Sequence, residues 1–501
     1  MVLSFVVKCL LFIVFSTVLY NIWLVATKYR IVRFSWSQNG WWLPLLPFVG
    51  NIYIVLFTGL KVNMISSGIW IDRYLGLPIN WWYGSKYHYF SKSADDARIV
   101  LNHPKCLDKS EVYSDIEWAF NNTIIINPGD VWKSKRRYLR TAFNTNIINT
   151  FVPILHQQSC TLIDLIKKKK PDDDHYKFFN THAFKSFFLT SIGLHSEEIK
   201  DSNVIEFANC IDGGQDEFIK LFVNPIIPSW IWVRTPLAAK LSLYKTKAQR
   251  IFSGIVAKKK AHMAKYTKYV ENTSELPFLE LLLSDGYVCK DRESDVLEEF
   301  IFFAVAATET TGHTLTFLFV LLGMFPDIQQ KAYEEVMTVV GDREIDDVML
   351  SKLMYTEAVI NEAMRIFPSI PLVGRYCSED IQLEDKILPK GANFACSIFH
   401  IQRSPEYWDN PLEFDPTRFL PENSGKIKPG SFLPFSTGPR NCIGQRIATV
   451  LSKITVATVL RHFKISSKHK DIKEFELTSC ISMKTRNHLD LHFTLRNENE
   501  Q

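Results

Sequence analysis

Paired cysteines are the first absence. The 501 residues hold nine cysteines, at positions 9, 106, 160, 210, 289, 377, 396, 442 and 480, and no CxxC. Scattered single thiols in odd number offer neither a disulfide framework nor a cysteine-rich metal site. They fit a reducing compartment. Net charge is also scarce: Lys+Arg 58 against Asp+Glu 53 leaves +5, too mild for a dedicated nucleic-acid binder. No aromatic-plus-basic RNA motif, zinc-finger spacing, internal repeat or low-complexity tract occurs, which leaves a globular body. Its composition, 47% hydrophobic and 22% charged, suits one large core or two.

What is present begins with an apolar run. From Cys9 to Thr27, "CLLFIVFSTVLYNIWLVAT" carries no charge and is long enough to cross a bilayer as a helix. Lys28, Arg30 and Arg33 follow, a flank that stays cytosolic by the positive-inside rule. A cleaved signal peptide would have a shorter apolar region followed by a small-residue cleavage site. Residues 1–30 are therefore expected to be a retained anchor. Residues 31–50, with Pro44, Pro47 and Gly50, are expected to form a stiff linker, and 51–501 the body.

The body reads as mainly α with a small β region. "DVLEEFIFFAVAATETTGHTLTFLFVLLGMF" (295–325) is a long apolar helix ended by Pro326. Glu309 and His313 near its centre would be costly in lipid, so a buried core helix is expected rather than a second span. "PDIQQKAYEEVMTVV" and "SKLMYTEAVINEAMRIF" are amphipathic helices, and "LVGRYC" and "IQLEDKILPKGANFACSIF" are strand-like. Loops are expected at 167–175, 224–230 and 421–431.

One short stretch carries most of the chemistry. In "FSTGPRNCIGQ" (435–445), Cys442 precedes a long apolar helical pattern. Helix N-terminal amides favour negative charge, and so a thiolate able to bind a metal. Gly438 and Gly444 permit close backbone approach, Phe435 could cover a ligand, and Arg440 could reach an anion. A single buried cysteine is more often a small hydrophobe; the arrangement as a whole argues otherwise.

Phe-x-x-Gly-x-Arg-x-Cys-x-Gly, met by Phe435, Gly438, Arg440, Cys442 and Gly444, resembles the heme-thiolate signature of the cytochrome P-450 superfamily. The resemblance implies the cytochrome P-450 fold behind an N-terminal transmembrane helix, with Cys442 the axial ligand of heme iron. Other markers follow in order. "EAMR" gives Glu362 and Arg365, which with Arg418 of "DPTRF" would form a buried structural trio. "GDVWKSKRRYLRTAF" would place Trp132 and Arg136 at a heme propionate, with Lys133, Lys135 and Arg137 on a solvated basic face. Arg375 and Arg440 are the further propionate candidates. "AATETT" (306–311) fits the oxygen-binding motif: Thr310 would donate a hydrogen bond to dioxygen and Glu309 would relay protons. Taken alone, such a threonine is more often bonded to its own helical turn.

"LNHPKCLDKS", "RIFPSIPLVGRY" and "FLPENS" look most like the animal family-4 branch, especially its arthropod members. Many of those enzymes attach heme covalently through a glutamate at the position of Ala306; alanine implies non-covalent heme b. Ala307 stands where glycine is common. The implied activity is a monooxygenase oxidising an apolar small molecule (fatty acid, hormone-like lipid or xenobiotic) with O2. Electrons would come from NADPH through a cytochrome P-450 reductase, with cytochrome b5 as a second partner. The implied location is the endoplasmic reticulum membrane, single-pass, with a cytosolic catalytic domain. Substrate contacts would come from 111–125, Phe302 to Glu309, Ser369 to Val373 and Ile481 to Met483. A heme-thiolate isomerase or dehydratase that does not use O2, and a non-catalytic heme protein, are the alternatives; the Glu309-Thr310 pair argues against the first.

Overall fold

Consecutive apolar residues on one helix can all be buried only if other elements surround it. Leu315 and Phe317 to Leu322 are each buried, and they lie in the central helix of the computed structural model. The structure describes residues 2–39, 45–46, 50, 81–117, 120, 122–168, 174–193, 201–222, 234–266, 276–284, 286–287, 292–479, 481–486 and 488–496.

The longer helices are α1 Val2–Asn39, α2 Gly129–Leu139, α3 Thr145–Lys168, α4 His175–Ile192, α5 Asp201–Phe222, α6 Pro236–Tyr266, α7 Arg292–Met324, α8 Pro326–Val339, α9 Met354–Ile366 and α10 Gln445–His462. The small β region is a four-stranded sheet in the order β1 (Trp81–Tyr83), β2 (Lys86–Ser91), β6 (Asn393–Ser397), β3 (Leu372–Tyr376). Among the described strands only β2 and β6 pair in parallel; Arg375 of β3 lies opposite Phe394 of β6. The short hairpins β4 (Ile381–Gln382) with β5 (Ile387–Leu388), β8 (Leu477–Ser479) with β9 (Met483–Thr485), and the pair β7 (Phe463–Ser466) with β10 (His492–Leu495) complete it. Mainly α with a small β region is thus what the chain builds.

The expected helix at 295–325 is α7, and its burial settles it as a core helix rather than a second span. It ends where Pro326 takes the first turn of α8, a position that needs no N–H. At Gly312 a Cβ would sit 1.8 Å from Asn180 Oδ1 and 2.9 Å from the Asn180 backbone nitrogen, so glycine lets α4 lie against α7. Helix α4 begins on Asp174, whose carboxylate accepts from the Tyr176 and Lys177 amides, and ends on left-handed Gly193.

Helix α1 exposes Phe5, Leu10, Leu11, Phe12 and Val14, as a lipid-facing segment must, and is apolar and long enough to cross a membrane. Its backbone kinks at Lys28 and then continues to Asn39. The first nine residues of the expected linker, 31–39, are therefore helix. Ile31, Val32 and Phe34 pack there against Trp82, Tyr87, Tyr89 and Phe394. Lys28 donates to the Ser85 carbonyl and Arg30 pairs with Asp380, so the charged flank docks on the sheet. Of the expected loops, 167–175 contains the end of α3 and the Asp174 cap, and 421–431 contains the 3-10 turn Pro421–Lys426. Loop 224–230 lies outside the described residues.

Candidate active site

Cys442 sits in a loop of nested turns leading into α10. Its amide donates to the Phe435 carbonyl at 3.0 Å, and the Asn441 amide to the Gly438 carbonyl at 3.1 Å. Gly438 holds φ +77°, and a Cβ there would meet the Leu101 carbonyl oxygen at 2.1 Å. The motif glycine is thus required by both conformation and space. Gly444 is the N-cap of α10. The Cys442 side chain has accessible surface while protein encloses it, so the thiol faces an internal space. Burial pushes its pKa up; the Gly444 amide, Arg136, the Gln445 amide and Lys109 pull against that. Those opposing influences are ones that a thiolate–metal bond would exploit.

Around the same space the structure gathers cations. Arg375 is 1% exposed; among the described residues its one hydrogen bond runs from Nη1 to the Gly374 carbonyl, leaving Nε and Nη2 without acceptors. Arg440 donates to the Ile124 and Asn127 carbonyls and lies over the Trp132 ring at 4.6 Å. Burial, then neighbouring Arg375, lowers its pKa to about 9. Lys109 lies 5.0 Å from the centre of the Tyr113 ring, and burial, Arg375 and Arg440 push its pKa well below normal. Unpaired guanidinium nitrogens among mutually repelling cations call for an anion. A planar group with an anionic edge and a metal within reach of Cys442 fits both needs.

Lys109 escaped the sequence reading; it lies in "LNHPKCLDKS", where nothing local distinguishes it from a surface lysine. Arg136 was expected at a propionate. In the structure its Nη1 donates to the Asn441 carbonyl at 3.0 Å and its Nη2 to Asn441 Oδ1 at 2.8 Å, so it ties α2 to the cysteine loop. Lys135 is a clear correction. Instead of joining a solvated face it is 1% exposed, with Nζ 3.2 Å from Glu299 Oε2 and bonded to the Asn122 carbonyl. Lys133 and Arg137 are exposed as expected, and Arg140 is exposed beside them.

The expected trio assembles. Arg365 Nε and Nη2 donate to the two oxygens of Glu362 at 2.6 and 2.8 Å, and Nη1 donates to the Gln402 and Pro411 carbonyls. Arg418 Nε lies 3.5 Å from Glu362 Oε1, and the Asp415 amide donates to that oxygen.

On α7, Thr310 Oγ1 donates to the Ala306 carbonyl at 2.7 Å, the bond to its own turn. Ser369 donates to the Thr310 carbonyl at 3.0 Å, and the Met483 amide to the Ser369 carbonyl. Glu309 is 6% exposed; its Oε1 lies 3.2 Å from Lys484 Nζ, within ion-pair reach but off the axis of a hydrogen bond. Phe302 stacks edge-on with Phe120 at 5.8 Å, joining the 111–125 segment to α7. Met483, expected at the substrate, is 1% exposed within the main core, while Ile481 is 38% exposed.

The family model "Cytochrome P450" matches residues 43–491. The chain belongs to the cytochrome P450 family. Among curated relatives, Cytochrome P450 4d2 of Drosophila melanogaster is 27% identical over 92% of this chain and 94% of its own length. Cytochrome P450 4V2 of Homo sapiens is 29% identical over 82% of this chain and 80% of its own. Cytochrome P450 4c21 of Blattella germanica is 27% identical over 85% and 87%. The protein is thus a cytochrome P450 and a heme-thiolate monooxygenase, most like these family-4 relatives. Its cofactor is non-covalent heme b, and its electrons derive from NADPH. Cys442, Arg375, Arg440 and Lys109 surround one internal space, and Ala306 offers no carboxylate for a covalent bond.

Proposed function

We propose that this P450 oxidises an apolar, lipid-like small molecule, a fatty acid, hormone-like lipid or xenobiotic, in the endoplasmic reticulum membrane. α1 is its single-pass anchor and the catalytic body is cytosolic. Electrons arrive through the NADPH–cytochrome P450 reductase, with cytochrome b5 as a second donor. When bound, the heme supplies an iron that activates dioxygen with electron density from the thiolate.

Every other part falls to the chain. The observation that carries the reading is Glu309, a carboxyl buried beside Thr310 in an apolar helix and paired to half-exposed Lys484. Burying an acid is costly unless it is used or compensated. Here it reaches toward solvent through Lys484 and is the neighbour of Thr310 along α7. The Thr310 hydroxyl donates to the Ala306 carbonyl; turned from that carbonyl it would pass its hydrogen toward the oxygen-binding site while its oxygen takes a replacement proton that originates at the Glu309 carboxyl. Phe302 and Phe120 supply an apolar wall for the substrate. Arg375, Arg440 and Lys109 would hold the propionates and Cys442 the iron.

Turnover of a panel of lipid and xenobiotic substrates under isotopically labelled dioxygen tests this. One labelled oxygen atom in each product is expected. Rearranged hydroperoxide products formed without NADPH and without label would overturn it in favour of an isomerase.

A further inference from the structure

Two buried cysteines that the oxygen chemistry does not use meet behind the wall that carries Arg375. Cys106 is 1% exposed and Cys377 0% exposed, and their Sγ atoms are 3.8 Å apart although the residues lie 271 positions apart in sequence. Both are free thiols.

The backbone holds them face to face. The Ser378 amide donates to the Lys105 carbonyl at 3.1 Å and the Tyr376 amide to the Asp108 carbonyl at 3.0 Å. The two cysteines lie between these two backbone bonds, which hold their segments side by side. The Ser378 hydroxyl also donates to the Lys105 carbonyl, and Lys105 pairs with Glu379 at 2.6 Å, so both sides of the pair are clamped. The two sulfurs, already 3.8 Å apart, are thus held facing each other.

We propose that Cys106 and Cys377 are a redox modification site that closes to a disulfide with hydrogen peroxide as the oxidant. The Cys106 thiolate attacks one peroxide oxygen: an S–O bond forms, the O–O bond breaks, and the departing hydroxide takes a proton to become water. The Cys377 sulfur then attacks the resulting sulfenic sulfur. An S–S bond forms, the S–O bond breaks, and hydroxide leaves as water with the Cys377 proton. Two thiols lose two electrons and two protons, and one peroxide becomes two waters.

The surroundings assign the roles. The Cys106–Cys377 sulfur contact lowers the Cys106 pKa against the effect of burial, helped by nearby Arg375, while the same contact and burial raise that of Cys377. Cys396, equally buried, is pushed up to about 12. Cys106 is therefore the attacking thiol and Cys377 the resolving one. The closed pair would staple segment 105–108 to the end of β3. Asp108 in that segment holds the Gly129 amide at the start of α2, and Arg375 is two residues from Cys377.

The test treats the purified heme-loaded protein with graded hydrogen peroxide and blocks remaining thiols with N-ethylmaleimide. Digestion without reductant is followed by mass spectrometry. The expected result is loss of both thiols to one cross-linked Cys106–Cys377 peptide, reversed by dithiothreitol. Cys377→Ser should instead leave Cys106 as a sulfenic acid trapped by dimedone, and Cys106→Ser should leave Cys377 alkylated. Cys106 oxidised to sulfinic acid while Cys377 stays alkylated would overturn the proposal. So would both thiols surviving doses that oxidise exposed Cys160.

Discussion

Lys135→Met tests the reading of α2 most sharply, because a solvated lysine and a buried one answer oppositely. Glu299 accepts from Lys135 Nζ at 3.2 Å, the Tyr287 hydroxyl at 2.7 Å and the Ile124 amide at 3.0 Å. At 3.2 Å and an effective dielectric of ~20, the Coulomb attraction is about 5 kcal/mol. Breaking a buried pair on one side costs about 3–5 kcal/mol, a large part of the ~5–15 kcal/mol that a protein has in total. Glu299 has a partial escape through protonation. Burial already raises its pKa despite Lys135, and losing the lysine raises it further. A carboxyl whose folded pKa lies above its unfolded value holds protons that the unfolded chain has released. Its contribution is full below the unfolded pKa and is lost as pH rises through the folded one. The variant should therefore be weakest, by roughly 3–5 kcal/mol, at neutral to alkaline pH and recover towards acid. Adding Glu299→Leu should bring it back to within about 1–2 kcal/mol of wild type, the remainder being the donors of Tyr287 and Ile124 left unpaired. Guanidinium unfolding of the heme-loaded protein at several pH values, followed by heme absorbance and fluorescence, is the assay. A Lys135→Met loss below about 1 kcal/mol with no pH dependence would refute the buried-pair account.

Three further outcomes follow from the site. Thr310→Ala should retain heme and substrate binding but divert electrons to peroxide; an unchanged ratio of product to NADPH consumed would remove its assigned role. Lys133→Glu with Arg137→Glu, both exposed on α2, should slow the first reduction by the reductase at low salt and less so at physiological ionic strength, where screening acts within about 8 Å. Wild-type reduction rates at low salt would place the docking face elsewhere. Acid–organic extraction should release the heme, since Ala306 cannot form an ester; heme remaining on the denatured chain would identify another carboxylate.

The legible parts of this molecule were those written at short, fixed spacing. Cys442 with its glycines, Glu362 with Arg365 one turn on, and the apolar run of α7 each lie within a single segment, so local pattern sufficed. Lys135 shows where that stops. A helix with five basic residues from 133 to 140 reads as a wet face, and its docked side is revealed only by Glu299, 164 positions away. Arg136 lies on the expected helix, and its bonds to Asn441, 305 positions away, are not legible in the sequence. Lys109 gains meaning only beside Arg375 and Arg440, which arrive on other elements. Likewise α1 overruns its apolar span because Ile31, Val32 and Phe34 find a sheet to cover, and no composition shift marks that.

The central claim is that Cys442 binds the heme iron as a thiolate. The reduced-minus-CO difference spectrum tests it directly, recorded for the wild type and for Cys442→Ser at matched heme content. The wild type should show the red-shifted band of a thiolate-ligated heme, and the serine variant should lose it. A Cys442→Ser protein that keeps the thiolate-type band would mean that another residue is the ligand and would contradict the account.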